Sequence, residues 1–179
     1  MTTTTTRTET ATDISERAWR DVRAVLDGRQ TTAPTDPETT VMLGRAIDER
    51  ISNRDALLML AIDPALTVND AMALARHPHR PENVRLMERS VAAAWRDDPD
   101  DRNLDRIRRA ADLARRIDRT AETRRALTIA AYLEWWAGDT QAAETDALIA
   151  VADDPKGNTL AAIVLNCLGN DIQPVITIH

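Results

Sequence analysis

Two histidines in a short proline-rich segment come closest to a metal site in type and spacing. His77 and His79 are separated by one proline, and Glu82 follows three residues later. Imidazole nitrogens and a carboxylate oxygen are ligands that Zn²⁺ accepts. No further ligand stands at a convincing spacing, since His179 is the last residue and Cys167 falls on an apolar helix. The pattern favours exposed loop histidines, and we predict neither a metal nor a cofactor.

A run of aspartates resembles the start of a calcium-binding loop. Asp97, Asp98, Asp100 and Asp101 surround one proline. A calcium loop also needs a central glycine and a bidentate glutamate at its twelfth position, and the sequence supplies neither. It also lacks a glycine-rich phosphate loop, a Gly-x-Ser-x-Gly turn and a His-Glu-x-x-His helix. We predict that these aspartates end one helix and cap the next, and that the protein is not an enzyme.

The strongest electrostatic signal is a concentration of arginine in one part of the chain. Residues 101–125 contain nine arginines and five acids, whereas residues 126–179 contain one lysine and seven acids. An arginine-lined helix face over residues 102–125 could bind an acidic partner or the phosphates of a nucleic acid. The best candidate residues on that face are Arg108, Arg109, Arg115 and Arg116.

The same arginines have acids at helical spacing, which offers a simpler interpretation. Asp105 stands four residues before Arg109, and Asp112 stands four residues before Arg116. Side chains four residues apart are neighbours on a helix surface and can form ion pairs. We therefore favour a solvated helix face crossed by ion pairs, and we keep a nucleic-acid-associated regulator as the alternative function.

Trp135 and Trp136 are the aromatic candidates for a partner-binding site. Adjacent helix positions point about 100° apart, so we predict that only one of the two belongs fully to the core. The other is either partly exposed, where it could be a binding hot spot, or covers the hairpin junction or the C-terminal segment. We favour the covering role.

The composition predicts that helices position all of these residues. Alanine, leucine and arginine are abundant and phenylalanine is absent, whereas strands favour aromatic and β-branched residues. We predict an all-α protein of eight or nine helices, stacked as antiparallel hairpins. Its predicted parts are a disordered threonine-rich tail (1–12), an N-terminal helix (13–28), a linker (29–36) and a compact helical domain (37–179), which contains a possible strand at 175–178.

The clearest packing pattern is a helical hairpin over residues 126–155. Its two helices are separated at Gly138 and Asp139. Small residues that let two helices approach closely recur along the second helix, at Ala143, Ala147 and Ala150. This spacing is similar to that of one tetratricopeptide hairpin, although no repeat recurs upstream.

Cap residues predict where several other helices begin. Asp36 and Pro37 form a favourable start for one helix, because a capping acid precedes a first-turn proline. By the same reasoning Asn53, Thr67 and Thr120 are predicted N-caps.

A larger set of residues resembles the C-terminal part of an actinobacterial family, domain-of-unknown-function family 4192. The resemblance rests on a Trp-x-x-Gly-Asp turn at 135–139, Asp-Pro at 154–155, a closing helix at 159–168 and an Arg-Asp-Ala-Leu-Leu segment at 54–58. It covers about residues 37–174 and implies a helical fold without an established activity. Of the 23 basic residues all but Lys156 are arginine, which also points to an actinobacterium or one of its phages.

Charge and cysteine content narrow the function class. The net charge of −6 argues against a general nucleic-acid coat protein. The single Cys167 suits a reducing compartment, no apolar run reaches the roughly 20 residues of a membrane span, and no signal peptide is recognised. We predict a cytoplasmic protein-interaction or scaffold module with an unknown protein partner.

Overall fold

A computed structural model describes residues 13–29, 36–94 and 101–172. All regular secondary structure in these ranges is helical, which confirms the all-α prediction. The helices are α1 (Glu16–Leu26), α2 (Pro37–Glu49), α3 (Ile51–Ile62), α4 (Val68–Arg76), α5 (Pro81–Ala94), α6 (Asp101–Ala121), α7 (Arg124–Trp136), α8 (Thr140–Asp153) and α9 (Thr159–Gly169). The predicted tail at 1–12, most of the predicted linker, the aspartates at 97–100 and the possible strand at 175–178 lie outside the described residues.

Two of the predicted helix starts are confirmed by their hydrogen bonds. The Asp36 carboxylate accepts from the backbone N–H of Glu38 at 2.9 Å, directly before the proline that opens α2. Thr67 and Asp70 form a reciprocal capping box at the start of α4. These side chains satisfy N–H groups that the first helical turn leaves without partners.

Two other predicted caps are wrong. Asn53 lies inside α3 and is buried, and its side-chain amide donates to the carbonyl of Ala46 at 2.7 Å, near the end of α2. Thr120 lies inside α6, and the N-cap of α7 is Thr123. In both cases a helix extends further than the local cap signal predicts, because contacts with other helices stabilise the extra turn.

The helix α1 belongs to the same core as the rest of the chain. It packs against α4 and α6, and Trp19, Val22 and Leu26 are completely buried there. The sequence instead predicted that the compact unit begins at residue 37, after a separate helix. That boundary is wrong because the apolar face of α1 is buried by helices that follow much later in the chain.

Two helices occupy the centre of the fold. The helix α7 packs against α2, α3, α6, α8 and α9, and α3 packs against α2, α4, α5, α6 and α7. A helix with neighbours on every side buries its whole circumference. This position of α7 decides the environment of both candidate tryptophans and of Glu134.

The hairpin of α7 and α8 has the predicted geometry. Gly138 has a φ of +79°, a left-handed conformation that favours glycine, and the Asp139 side chain then accepts from the N–H of Ala142 at 3.1 Å to cap α8. The small residues predicted to allow close packing are all completely buried, namely Ala143, Ala147 and Ala150.

Candidate functional site

Trp135 and Trp136 are both buried, with 4% and 3% of their surface exposed. The prediction that only one of them belongs fully to the core is therefore wrong. The indole N–H of Trp135 donates to the carbonyl of Ile172 at 3.0 Å, so the segment after α9 covers this side chain. This contact agrees with the covering role that the sequence favoured, and neither tryptophan offers an exposed surface to a partner.

The arginines of α6 make long-range contacts within the chain. Arg106 is buried, pairs with Asp27 and donates to the carbonyl of Leu60 at 2.7 Å. Arg109 donates to the carbonyl of Leu26 at 2.9 Å. These contacts join α6 to the end of α1 and the end of α3, because a guanidinium can satisfy several acceptors at once.

Arg115 is the centre of a second cluster, between α6, α7 and α8. Its Nε donates to Asp146 at 2.9 Å, its Nη2 pairs with Glu134, and its Nη1 lies 3.5 Å from Asp112. Burial raises the pKa of Asp146, and the charge of Arg115 offsets only part of that effect. One guanidinium is thus shared among three carboxylates, and the cluster keeps an excess of negative charge.

The four candidate arginines therefore do not form one free basic face. Arg109 and Arg115 make the interhelical bonds described above, whereas Arg108 is exposed and lies 3.3 Å from Asp105. Arg116 is half-buried on the same helix. The sequence predicted ion pairs between residues four apart, Asp105 with Arg109 and Asp112 with Arg116. The ion pairs in the structure join residues three apart, Asp105 with Arg108 and Asp112 with Arg115.

A cleft of about 270 Å³ opens beside the Arg115 cluster. Its apolar lining consists of Ile107, Ala111, Leu133 and Ala137. Its polar lining consists of three carboxylates and two guanidiniums, those of Asp112, Glu134, Asp139, Arg108 and Arg115. Glu134 could not be recognised as a site residue from the sequence, because the environment of an acid inside an apolar helix is decided only when the helices pack.

Exposed large apolar side chains that the sequence did not single out lie on α8 and α9. Leu148 and Ile149 of α8 and Ile163 of α9 are exposed, Leu148 by 53% and Ile163 by 56%. The two helices pack together and are joined by a short turn, so residues 149 and 163 lie at similar distances from that turn. The sequence did contain a signal for these exposed side chains, namely large apolar residues at helix positions that do not face the core.

The surroundings of these side chains are acidic. Glu144, Asp153 and Asp154 are exposed on or beside α8, and Lys156 is the exposed cation of the connecting turn. We call Leu148, Ile149 and Ile163, together with these flanking acids, the outer α8–α9 face. An apolar centre with a charged border is the usual composition of a protein-binding surface.

The histidine segment has the predicted character. His77 and His79 are exposed and lie in the loop between α4 and α5. Within the described residues, no group of three His, Cys, Asp or Glu side chains is arranged to hold a metal ion. None of the helices over the same ranges combines the length and apolarity that crossing a bilayer requires.

No family model, no curated protein and no solved structure matches this chain. The resemblance to domain-of-unknown-function family 4192 therefore stays a prediction.

Proposed function

We propose that this protein is a non-enzymatic helical interaction module that binds a protein partner through the outer α8–α9 face. The observation that carries the proposal is the exposure of Leu148, Ile149 and Ile163, each by 45% or more. Exposed large apolar side chains lose contact with water when a partner covers them, at roughly 25 cal/mol per Å². The proposal includes a cytoplasmic setting, which the single cysteine suits.

The charge of the outer α8–α9 face indicates the kind of partner. Glu144, Asp153 and Asp154 flank the apolar side chains and give the face a negative border. A second copy of the chain would bring like charges together, which opposes self-association on this face. A partner helix with an apolar stripe and basic flanks would match both the centre and the border of the surface.

Site-specific photo-crosslinking tests the proposal directly. A photoreactive amino acid is placed at position 148 or 163 of the full chain in its own cells, and the cross-linked products are identified by mass spectrometry. The matched control carries the same amino acid at position 88, an exposed site on α5. We expect one dominant protein at positions 148 and 163 that is absent at position 88.

Three results would contradict the proposal. Identical products at all three positions would indicate random collision, and no product at positions 148 and 163 would indicate an unused surface. Cross-linking to a second copy of the chain would show that the face is an interface between identical subunits, in conflict with its acidic border.

A further inference from the structure

We infer that the cleft between α6 and α7 is a binding site for an organic cation, an alkylguanidinium or alkylammonium group. This inference does not rest on the outer α8–α9 face. It rests on Glu134, which lines the cleft and is 7% exposed. Its Oε1 pairs with Arg115, whereas Oε2 is buried and accepts no hydrogen bond from the described residues.

An unpaired carboxylate oxygen is costly inside a protein. Leaving a buried acceptor without a donor costs the desolvation free energy of that atom, and the cost is larger for a charged group. Arg115 does not satisfy this oxygen, since its three nitrogens face Oε1 of Glu134, Asp146 and Asp112 and none of its N–H groups reaches Oε2. A donor from a ligand in the cleft would satisfy Oε2 once the carboxylate rotates about its last torsion, which is broad for glutamate.

The charge of the lining selects a cation. Asp112, Glu134 and Asp139 outnumber Arg108 and Arg115 among the lining residues, and Arg115 is also shared with Asp146. Arg108 lies 3.3 Å from the exposed Asp105, which neutralises part of its charge. A ligand that brings one positive charge therefore reduces the excess of carboxylates, whereas an anion would increase it.

The apolar lining of the cleft selects an alkyl stem. Ile107, Ala111, Leu133 and Ala137 form an apolar surface beside the carboxylates. A volume of about 270 Å³ holds a small organic cation, since one water molecule takes about 30 Å³. The ligand chemistry is thus a guanidinium or ammonium group on a short aliphatic chain, supplied either by a free amine or by an arginine or lysine side chain of a peptide.

A titration of the full chain with n-propylguanidinium chloride at constant ionic strength tests the inference. Two-dimensional NMR follows the amide signals of Ala137 and Asp139, which lie at the cleft. We expect saturable shifts with a dissociation constant on the order of 1 mM, typical of a ligand of this size. Glu134→Gln is expected to weaken binding by about tenfold or more. The control Glu88→Gln, the same change at an exposed site on α5, is expected to leave the affinity unchanged.

A second variant covers the case in which Glu134→Gln does not fold. Ala137→Leu keeps the carboxylate and fills the cleft from its half-buried lining position, so it should abolish the saturable shifts. The absence of saturation in the unmodified protein would overturn the inference, and so would unchanged affinity in a folded variant of either kind.

A parallel titration distinguishes the two sources of the cation. The probe is the capped tripeptide acetyl-Ala-Arg-Ala-amide. Binding at least as tight as that of n-propylguanidinium supports a peptide side chain as the natural ligand. Binding of the free cation alone supports a small amine, because the peptide backbone would then clash at the mouth of the cleft.

Discussion

Asp27, at the C-terminal end of α1, and Arg106, on α6, form an ion pair whose guanidinium is buried. Arg106 also donates to the carbonyls of Leu60 and Ala61, at 2.7 and 3.2 Å. The Asp27 carboxylate accepts in addition from Arg23 at 3.0 Å. One charged cluster therefore joins the first helix, the end of α3 and the long α6, although the paired residues lie far apart in sequence.

Replacing Asp27 by asparagine is expected to lower the free energy of unfolding at neutral pH by about 3 kcal/mol. The reason is that the substitution leaves the buried Arg106 without its counter-charge. Urea denaturation measures the effect. The control is Asp105→Asn, which removes a carboxylate from an exposed pair with Arg108 and should change stability by at most about 0.5 kcal/mol. Equal effects of the two substitutions would contradict the structural role of the Asp27 pair.

The same pair predicts how stability changes in acid. Burial alone would raise the pKa of Asp27, but hydrogen bonds from Arg23 and Arg106 outweigh it and hold the pKa below its usual value. The stabilisation is complete above the unfolded pKa of about 3.9 and is lost as the pH falls through the lower folded pKa. Protonation of Asp146 has the opposite effect on stability. Burial raises the pKa of this carboxylate, so its protonation removes an unfavourable buried charge.

Denaturation series from pH 6 downward should therefore separate the two carboxylates. We expect Asp27→Asn to lose less stability than the unmodified protein as the pH approaches about 3. Asp146→Asn should lose more stability than the unmodified protein over the same pH range, since the stabilisation gained by protonating Asp146 is absent in the variant. If the free energy of unfolding fell with pH in the same way for all three proteins, the pKa directions of both Asp27 and Asp146 would be contradicted.

A close helix contact predicts a strong effect at one glycine. A Cβ atom built on Gly44 of α2 would lie 2.3 Å from the Cβ of Ala121 and 3.0 Å from Cγ2 of Thr123. Gly44→Ala should lower the free energy of unfolding by about 1–2 kcal/mol, since the overlap outweighs the higher helix propensity of alanine. Gly169→Ala is the matched control, because a Cβ there meets nothing within 4 Å. A thermal unfolding midpoint that falls equally in both variants would be inconsistent with this contact.

Nucleic-acid binding is expected to be absent. Arg106, Arg109 and Arg115 bond to acceptors within the chain, and the net charge of −6 opposes approach to phosphates. Fluorescence anisotropy of a short labelled duplex at low salt measures this, with no saturable change expected. Tight binding that weakens steeply with salt, and that disappears in an Arg108→Ala, Arg116→Ala double variant, would restore the alternative function.

Sequence reasoning succeeded where the controlling interactions are local. The N-cap at Thr67 and the helix break at Gly138 were both predicted, and each depends on residues within a few positions. The recurrence of small residues every three or four positions along α8 likewise predicted that α7 and α8 pack closely. Local hydrogen bonds and backbone preferences depend on neighbouring residues, so they can be predicted before the fold is known.

It failed where the partner is distant in sequence. The spacing of Asp105 and Arg109 suggested a pair, but Arg109 instead donates to a carbonyl of α1. Trp135 and Trp136 point in different directions, and both are buried because α7 has neighbours on all sides. Periodicity reports how amphipathic a helix is and cannot report which helices surround it.

The most direct test of the proposed function is the affinity for the protein captured at position 148. Isothermal titration compares the unmodified chain with a Leu148→Asp, Ile163→Asp double variant. Both positions are about half exposed, so the fold should be retained, which circular dichroism can verify. We expect at least about a 100-fold loss of affinity, since two desolvated apolar contacts are replaced by charges. Affinity unchanged in the folded double variant would show that the outer α8–α9 face is not the binding surface.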